Sequence, residues 1–132
     1  MHARRVRTLE DVEVLRQLRN EARKQMTGST KLIRKRAQAK WWAEAERRAW
    51  LFVDNNGRAV GFAYVKRESG RNWITLGVTK DFRGQGIGTL IYHSLRPCWA
   101  RIREDNEASL TAARRAGYVA VETEDGTVVM KG

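Results

Sequence analysis

The sequence predicts a mixed α/β (α+β) fold in a single domain of 132 residues, in the order βααβββαβαββ with a mostly antiparallel sheet. Three observations predict it. Helical periodicity follows a short opening strand; three apolar runs between Trp50 and Val78 are separated by turn residues; and the last of these, Trp73 to Val78, breaks into a glycine-rich turn that restarts as a helix. The length is near the commonest domain size, and no repeat, low-complexity tract or linker divides the chain.

Ala3 to Thr8 reads as a strand edged by Arg4, Arg5 and Arg7. Thr8 is placed to cap the next helix, and Glu10 and Asp11 in the first turn suit the positive end of its dipole. Val14, Leu15, Leu18, Ala22 and Met26 recur at helical spacing, which predicts a helix over Leu9 to Gln25, broken by Thr27-Gly28-Ser29-Thr30. Lys31 to Arg48 is helix-forming in composition. From Trp50 the period becomes that of strands: Trp50 to Val53, an Asn56-Gly57 hairpin signal, Ala59 to Lys66, a turn at Ser69-Gly70, then Asn72 to Val78. After the glycine-rich turn, Ile87, Leu90, Ile91, Ser94 and Leu95 mark the buried face of a helix that Pro97 stops. Trp99 to Arg103 alternates as a strand. Asn106 can cap a helix from Glu107 to Ala116, Gly117 closes it, and Tyr118 to Val121 with Thr127 to Met130 makes a last hairpin around Glu124-Asp125-Gly126.

Net charge is +11, from 26 Lys and Arg against 15 Asp and Glu, which points to polyanionic company. The excess is uneven: residues 1–50 hold 14 basic side chains against 6 acidic, residues 51–132 hold 12 against 9. Lys31, Arg34, Lys35, Arg36 and Lys40 fall in one stretch that contains no acid. No run approaches the roughly 18 apolar residues of a membrane span, and the N-terminal residues lack the apolar stretch of a signal peptide, so a cytoplasmic protein outside the membrane is expected. The single cysteine, Cys98, excludes an internal disulfide and is expected as a small core residue.

The glycine-rich turn carries the chemistry. A strand that ends in glycines and restarts as a helix presents unpaired N–H groups at the positive end of the helix dipole, a seat for phosphate. A P-loop would need Gly-Lys-Ser/Thr at the helix start, where Ile87-Gly88-Thr89 stands, and a dinucleotide fold needs a different glycine spacing from Gly84, Gly86 and Gly88.

Arg83-Gly84-Gln85-Gly86-Ile87-Gly88, with Val78 before it, resembles motif A of the GNAT superfamily of acyl-CoA-dependent N-acyltransferases, Gln/Arg-x-x-Gly-x-Gly/Ala. Asn106-x-x-Ser109 followed by Gly117-Tyr118 resembles the same family's late helix, and the element order is also that of the family. The resemblance covers most of the chain. It implies the GNAT fold and transfer of an acetyl group from acetyl-CoA, or another acyl-CoA, to a primary amine by direct attack in a ternary complex, without a metal. It also implies that Leu76, Gly77 and Val78 meet the pantetheine arm through their backbone, that Arg83, Gly84, Gln85, Gly86, Ile87, Gly88 and Thr89 hold the pyrophosphate, and that Asn106 and Ser109 lie along the arm. The N–H of Val78 or a neighbour would then stabilise the oxyanion. Asn106 has a second reading as a simple helix cap.

The chain departs from the family in its proton-transfer residues. The usual acid, a Tyr four residues before the Gly-Tyr pair, is Ala113, and Asn72 to Val78 contains no carboxylate to serve as base. Ser109 and Tyr92 are candidates for the acid and Glu68 for the base; His93 falls off the apolar helical face and reads as a surface residue. A route without a side-chain base also exists, because an amine among Arg and Lys has its protonated form disfavoured. In the family the two early helices wall the acceptor, which implies an acceptor side built from Arg19, Asn20, Arg34, Arg36 and Trp41. Arg19-Asn20, Gln38 and Trp41-Trp42 resemble amino-sugar N-acetyltransferases of the superfamily, so an anionic acceptor such as a nucleotide-linked amino sugar is expected. An amine carried on nucleic acid is the alternative, with Trp41, Trp42 and Trp50 near the cations. A reading from another class is a non-catalytic module that binds acyl-CoA or nucleic acid. Either a monomer or a homodimer fits.

Overall fold

The computed structural model describes residues 1–23, 31–44 and 47–132. The elements are β1 (His2–Arg5), α1 (Leu9–Ala22), α2 (Lys35–Glu44), β2 (Arg47–Val53), β3 (Ala59–Glu68), β4 (Arg71–Val78), α3 (Ile87–Ser94), β5 (Trp99–Arg103), α4 (Glu107–Arg115), β6 (Val119–Glu124) and β7 (Thr127–Lys131). The strands form one sheet in the order β1-β2-β3-β4-β5-β7-β6, antiparallel at every pairing except β4–β5. Two of its hairpins, β3–β4 and β6–β7, close on two-residue turns with positive φ at both positions, Ser69-Gly70 and Asp125-Gly126. Such turns match the twist of the flanking strands.

The parallel pair shapes the molecule. Parallel strands need a crossover, here made by α3. β4 and β5 pair only at Trp73↔Trp99 and Ile74↔Ala100. Beyond Ile74 no pairing joins them. The helices lie two to a face: Ile91 of α3 and Leu110 of α4 pack into one core with Ala63, Val65, Ile74, Ile102 and Met130 of the sheet, while on the other face Leu15 of α1 packs with Leu51 and Phe62, and Trp41 and Trp42 of α2 lie against that second core. Burying each such large apolar side chain is worth about 1.5–3 kcal/mol.

Several boundaries differ from the sequence expectation. The opening strand is His2–Arg5 rather than Ala3 to Thr8, since Thr8 Oγ1 is engaged in capping α1 through Asp11 N–H at 3.1 Å. α1 is described to Ala22 with Arg23 as its C-cap; the predicted end at Gln25 and the break at Thr27 to Thr30 lie outside the described residues. α2 covers only Lys35–Glu44 of the expected Lys31 to Arg48 helix, and Arg47 and Arg48 belong to β2, where they pair with Lys66 and Val65. In α3, Leu90 is 52% exposed and Tyr92 is buried beside Ile87 and Ile91. The buried face is thus rotated toward α4, where the Tyr92 hydroxyl meets Ser109 at 2.7 Å, and the Tyr92 ring packs against Tyr118 at 5.1 Å. Cys98 is buried as expected.

Candidate active site

The parting of β4 from β5 opens a cleft of about 760 Å³, roofed by the start of α3 and by α4. Its backbone polarity follows from the β3–β4 register. Thr79 N–H donates to Val60 O at 2.9 Å, which makes Thr79–Val60 a hydrogen-bonded pair; alternation then makes Gly77–Phe62 and Thr75–Tyr64 bonded pairs as well. Leu76 and Val78, at the intervening positions, therefore aim their N–H groups away from β3, into the space β5 has vacated. Both residues line the cleft.

At the far end of β4 the chain turns through Gly84 and Gly86, with φ of 78° and 79°, a left-handed conformation that a Cβ would strain. Leu90 N–H to Gly86 O at 3.2 Å is the first helical bond, so the N–H groups of Ile87, Gly88 and Thr89 precede any i−4 partner and stand at the positive helix end. At Gly88 a Cβ would make only ordinary contact, 3.4 Å from the Ala112 Cβ, where α3 meets α4. Arg83 is exposed at the rim, and its Nε donates to Val78 O at 3.1 Å. That bond orients the guanidinium and leaves its terminal nitrogens suited to an anion.

Across the cleft, Asn106 Oδ1 accepts the Ser109 N–H at 3.2 Å, the capping bond expected of it. Ser109 Oγ and Tyr92 Oη are 2.7 Å apart, and both residues line the cleft. Burial pushes the Tyr92 hydroxyl up to about 12, the Ser109 hydrogen bond acting weakly the other way. Tyr118 donates to Tyr92 O at 3.1 Å and is likewise raised by burial. At neutral pH both phenols therefore keep their protons. Ala113, where the family's tyrosine would stand, is fully buried.

The sequence-derived residues divide sharply. Leu76, Gly77, Val78, Arg83, Gly84, Gly86, Ile87, Gly88, Thr89, Tyr92, Asn106 and Ser109 all line the one cleft; Gln85 does not. Glu68 is at the opposite end of β4, at the turn into Arg71, and its carboxylate meets Lys66 Nζ at 3.3 Å and Arg101 Nη2 at 3.6 Å. It does not line the cleft, which begins on β4 at Ile74, although its partner Arg101 does. His93 is exposed and off the cleft.

None of the five acceptor-side residues lines the cleft. Arg19, Asn20 and Gln38 are buried and serve as a joint between the helices. Arg19 donates to Gln38 Oε1 and lies 4.0 Å over the Trp41 ring; Gln38 Nε2 reaches Val12 O at 3.4 Å. Asn20 holds Ile33 by both ends, Nδ2 to Ile33 O at 2.9 Å and Ile33 N–H to Oδ1 at 2.6 Å. Arg34 and Arg36 are exposed on the outer surface of the pair.

Other residues come to the site unannounced. Ala22 lines the cleft, as do Thr111 and Arg115, which share a face of α4 with Ala108 and Ala112. That face could have been read from the 3-4 spacing of 108, 111, 112 and 115. Next to Ala22, the Glu21 carboxylate accepts the N–H of Lys80, just past the end of β4. No local sequence signal links those two residues.

A model of the acetyltransferase (GNAT) family matches residues 15–118. The chain belongs to the GNAT acetyltransferase family. Enzymes of this family use acetyl-CoA as co-substrate. Among solved structures, a domain from Methanocaldococcus jannaschii is similar at 21% identity and a TM-score of 0.82, over 99% of this chain and 96% of that one. A GNAT superfamily phosphinothricin acetyltransferase from Sinorhizobium meliloti, in complex with AcCoA, shares 16% identity and a TM-score of 0.77 over 100% and 88%. A spermidine N-acetyltransferase from Vibrio cholerae, in complex with CoA and spermine, shares 11% and 0.69 over 98% and 92%. No curated protein matches the sequence. Among the described residues of this GNAT chain, no helix is long and apolar enough to cross a membrane.

Proposed function

We propose that this chain binds acetyl-CoA in the β4–β5 cleft and transfers its acetyl group to a primary amine by direct attack in a ternary complex. The observation that carries the reading is the parting of the parallel strands, which turns the Leu76 and Val78 N–H groups toward a cleft that ends at the glycine-rich start of α3. An extended amide-bearing arm can add to β4 as a missing strand would, while the α3 amides and Arg83 receive the pyrophosphate. The thioester carbonyl then meets the Val78 N–H, an oxyanion donor fixed before reaction. Ser109, with Tyr92 behind it, supplies the proton for the departing sulfur. Holding amine and thioester together contributes much of the rate.

For the acceptor we favour an anionic carrier such as a nucleotide-linked amino sugar. Exposed Arg34, just before α2, with Lys35 and Arg36 at its start, and the basic excess of residues 1–50 support it. Nucleic acid is less favoured, since Trp41 is packed beneath Arg19 and against Tyr64 at 5.0 Å rather than offered to a base. The lone buried Cys98 is in keeping with a cytoplasmic enzyme.

Acetyl-CoA is expected to raise the melting temperature, in keeping with about 2.7 kcal/mol of stabilisation at a hundredfold excess over Kd. No shift at millimolar acetyl-CoA overturns the reading. A screen with free-thiol detection should rank nucleotide-linked amino sugars above neutral amino sugars; the reverse order removes the anionic carrier.

A further inference from the structure

We propose that Glu21 is the carboxylate that takes the proton from the acceptor amine. The inference rests on the acetyl-transfer reading of the same cleft and names a base for it. β4 carries no acid, Glu68 is at its wrong end, and the acids that line the cleft, Asp105 and Glu107, stand at the start of α4. Asp105 is held there by Arg103 at 2.6 Å. On the other face of the sheet, the last turn of α1 presses against the end of β4: a Cβ on Gly77 would come within 3.0 Å of the Ala22 Cβ. Ala22 lines the cleft, and Glu21 is its neighbour.

Glu21 is tied to the place where reaction would occur. Its Oε1 accepts the Lys80 N–H, and Lys80 follows Val78 by two residues. Two residues span about 7 Å at most, so the carboxylate lies within about 10 Å of the Val78 N–H, the reach of a substrate amine plus one water. The side chain is exposed, and one N–H does not exhaust a carboxylate. Between Glu21 and Glu44 the sequence holds seven Lys and Arg and no other acid. An acceptor carried on an anion would thus meet cations along α2 and a single carboxylate at its amine end.

In the step, the ammonium gives one proton to Glu21, directly or through one water. The freed lone pair forms the N–C bond at the thioester carbonyl and the C–S bond breaks. The second proton of the nitrogen refills Ser109 as Ser109 gives its own to the departing sulfur, and Glu21 releases the first to solvent.

Glu21→Gln separates this role from that of a tether, because the amide oxygen can still accept the Lys80 N–H. Two probe amines serve: ethylamine, protonated at neutral pH, and trifluoroethylamine, largely free there. At pH 7 the variant should lose about a hundredfold in kcat/KM for ethylamine, with little loss for trifluoroethylamine, and the ethylamine loss should shrink as rising pH frees the amine. The melting-temperature rise with acetyl-CoA should match that of the parent. Equal loss for both amines, no loss, or a parent that binds acetyl-CoA yet acetylates neither amine overturns the assignment of Glu21. A parent with no acetyl-CoA shift overturns the cleft reading itself, and Glu21 with it.

Discussion

The turn from β4 into α3 and the α1–α2 pair are both polar, and they hold their polarity in opposite ways. At the turn, the groups that face the cleft are backbone N–H, kept from partners by a parted strand, left-handed glycines and the geometry of a helix start. In the helix pair the deepest polar groups are side chains that have found one another: Arg19 with Gln38 and Trp41, Asn20 with Ile33. Polarity that local geometry keeps unsatisfied remains available to a ligand. Polarity buried between elements is consumed in joining them.

The largest effect should come from breaking that joint. Arg19→Met strands the buried Gln38 amide and removes the cation from the Trp41 face, for a loss of about 3 kcal/mol. For a chain of this size that lowers the melting temperature by roughly 10 °C. Below its transition the variant should keep the acetyl-CoA shift of the parent. A variant that is as stable as the parent but has lost amine transfer would return Arg19 to the acceptor site and erase the contrast between the two regions.

A smaller effect sharpens the other side. Gly86 and Gly57 share a left-handed φ, 79° and 80°, and a Cβ at either would meet nothing within 4 Å. Valine at each costs about 1–2 kcal/mol of backbone strain or somewhat more. Gly86→Val should also abolish the acetyl-CoA shift, whereas Gly57→Val, in the hairpin between β2 and β3, should retain it. Equal retention would remove the start of α3 from the binding site.

The same division explains what could be read from sequence. Glycine spacing, the Asn106 cap and strand alternation are local, and they led to the cleft and to all but Gln85 of its expected lining. The Lys31 to Arg48 stretch misled because composition alone does not reveal that Arg47 and Arg48 pair across to β3. Arg19 and Asn20 looked like binding residues because burial of a helix face against a second helix is a tertiary fact. Glu21 and Lys80 meet across 59 residues of chain, and Tyr92 reaches Ser109 from another helix, so neither contact has a sequence period.

That last contact sets the smallest change at neutral pH and the clearest one in alkali. Tyr92→Phe removes one hydrogen bond from a half-buried serine, worth about 1 kcal/mol. In the parent, burial raises the folded-state value from 10 to about 12. A raised value stabilises the fold fully below pH 10 and is lost as pH climbs through 12, about 3 kcal/mol in all. Tyr118 adds to the loss with the same sign. The Phe variant should therefore begin less stable than the parent, draw level within about one pH unit above 10 and be the more stable of the two by pH 12, in melts followed by circular dichroism. A gap constant over that range would mean that the Tyr92 hydroxyl is not held in its protonated form by the fold. In kinetics at pH 7, Tyr92→Phe and Ser109→Ala should each lower kcat for acetyl transfer, with the double variant little worse than either single one, as for two groups acting as one donor. Additive losses would separate the pair, and unchanged kcat in both would leave the second nitrogen proton to pass straight to sulfur.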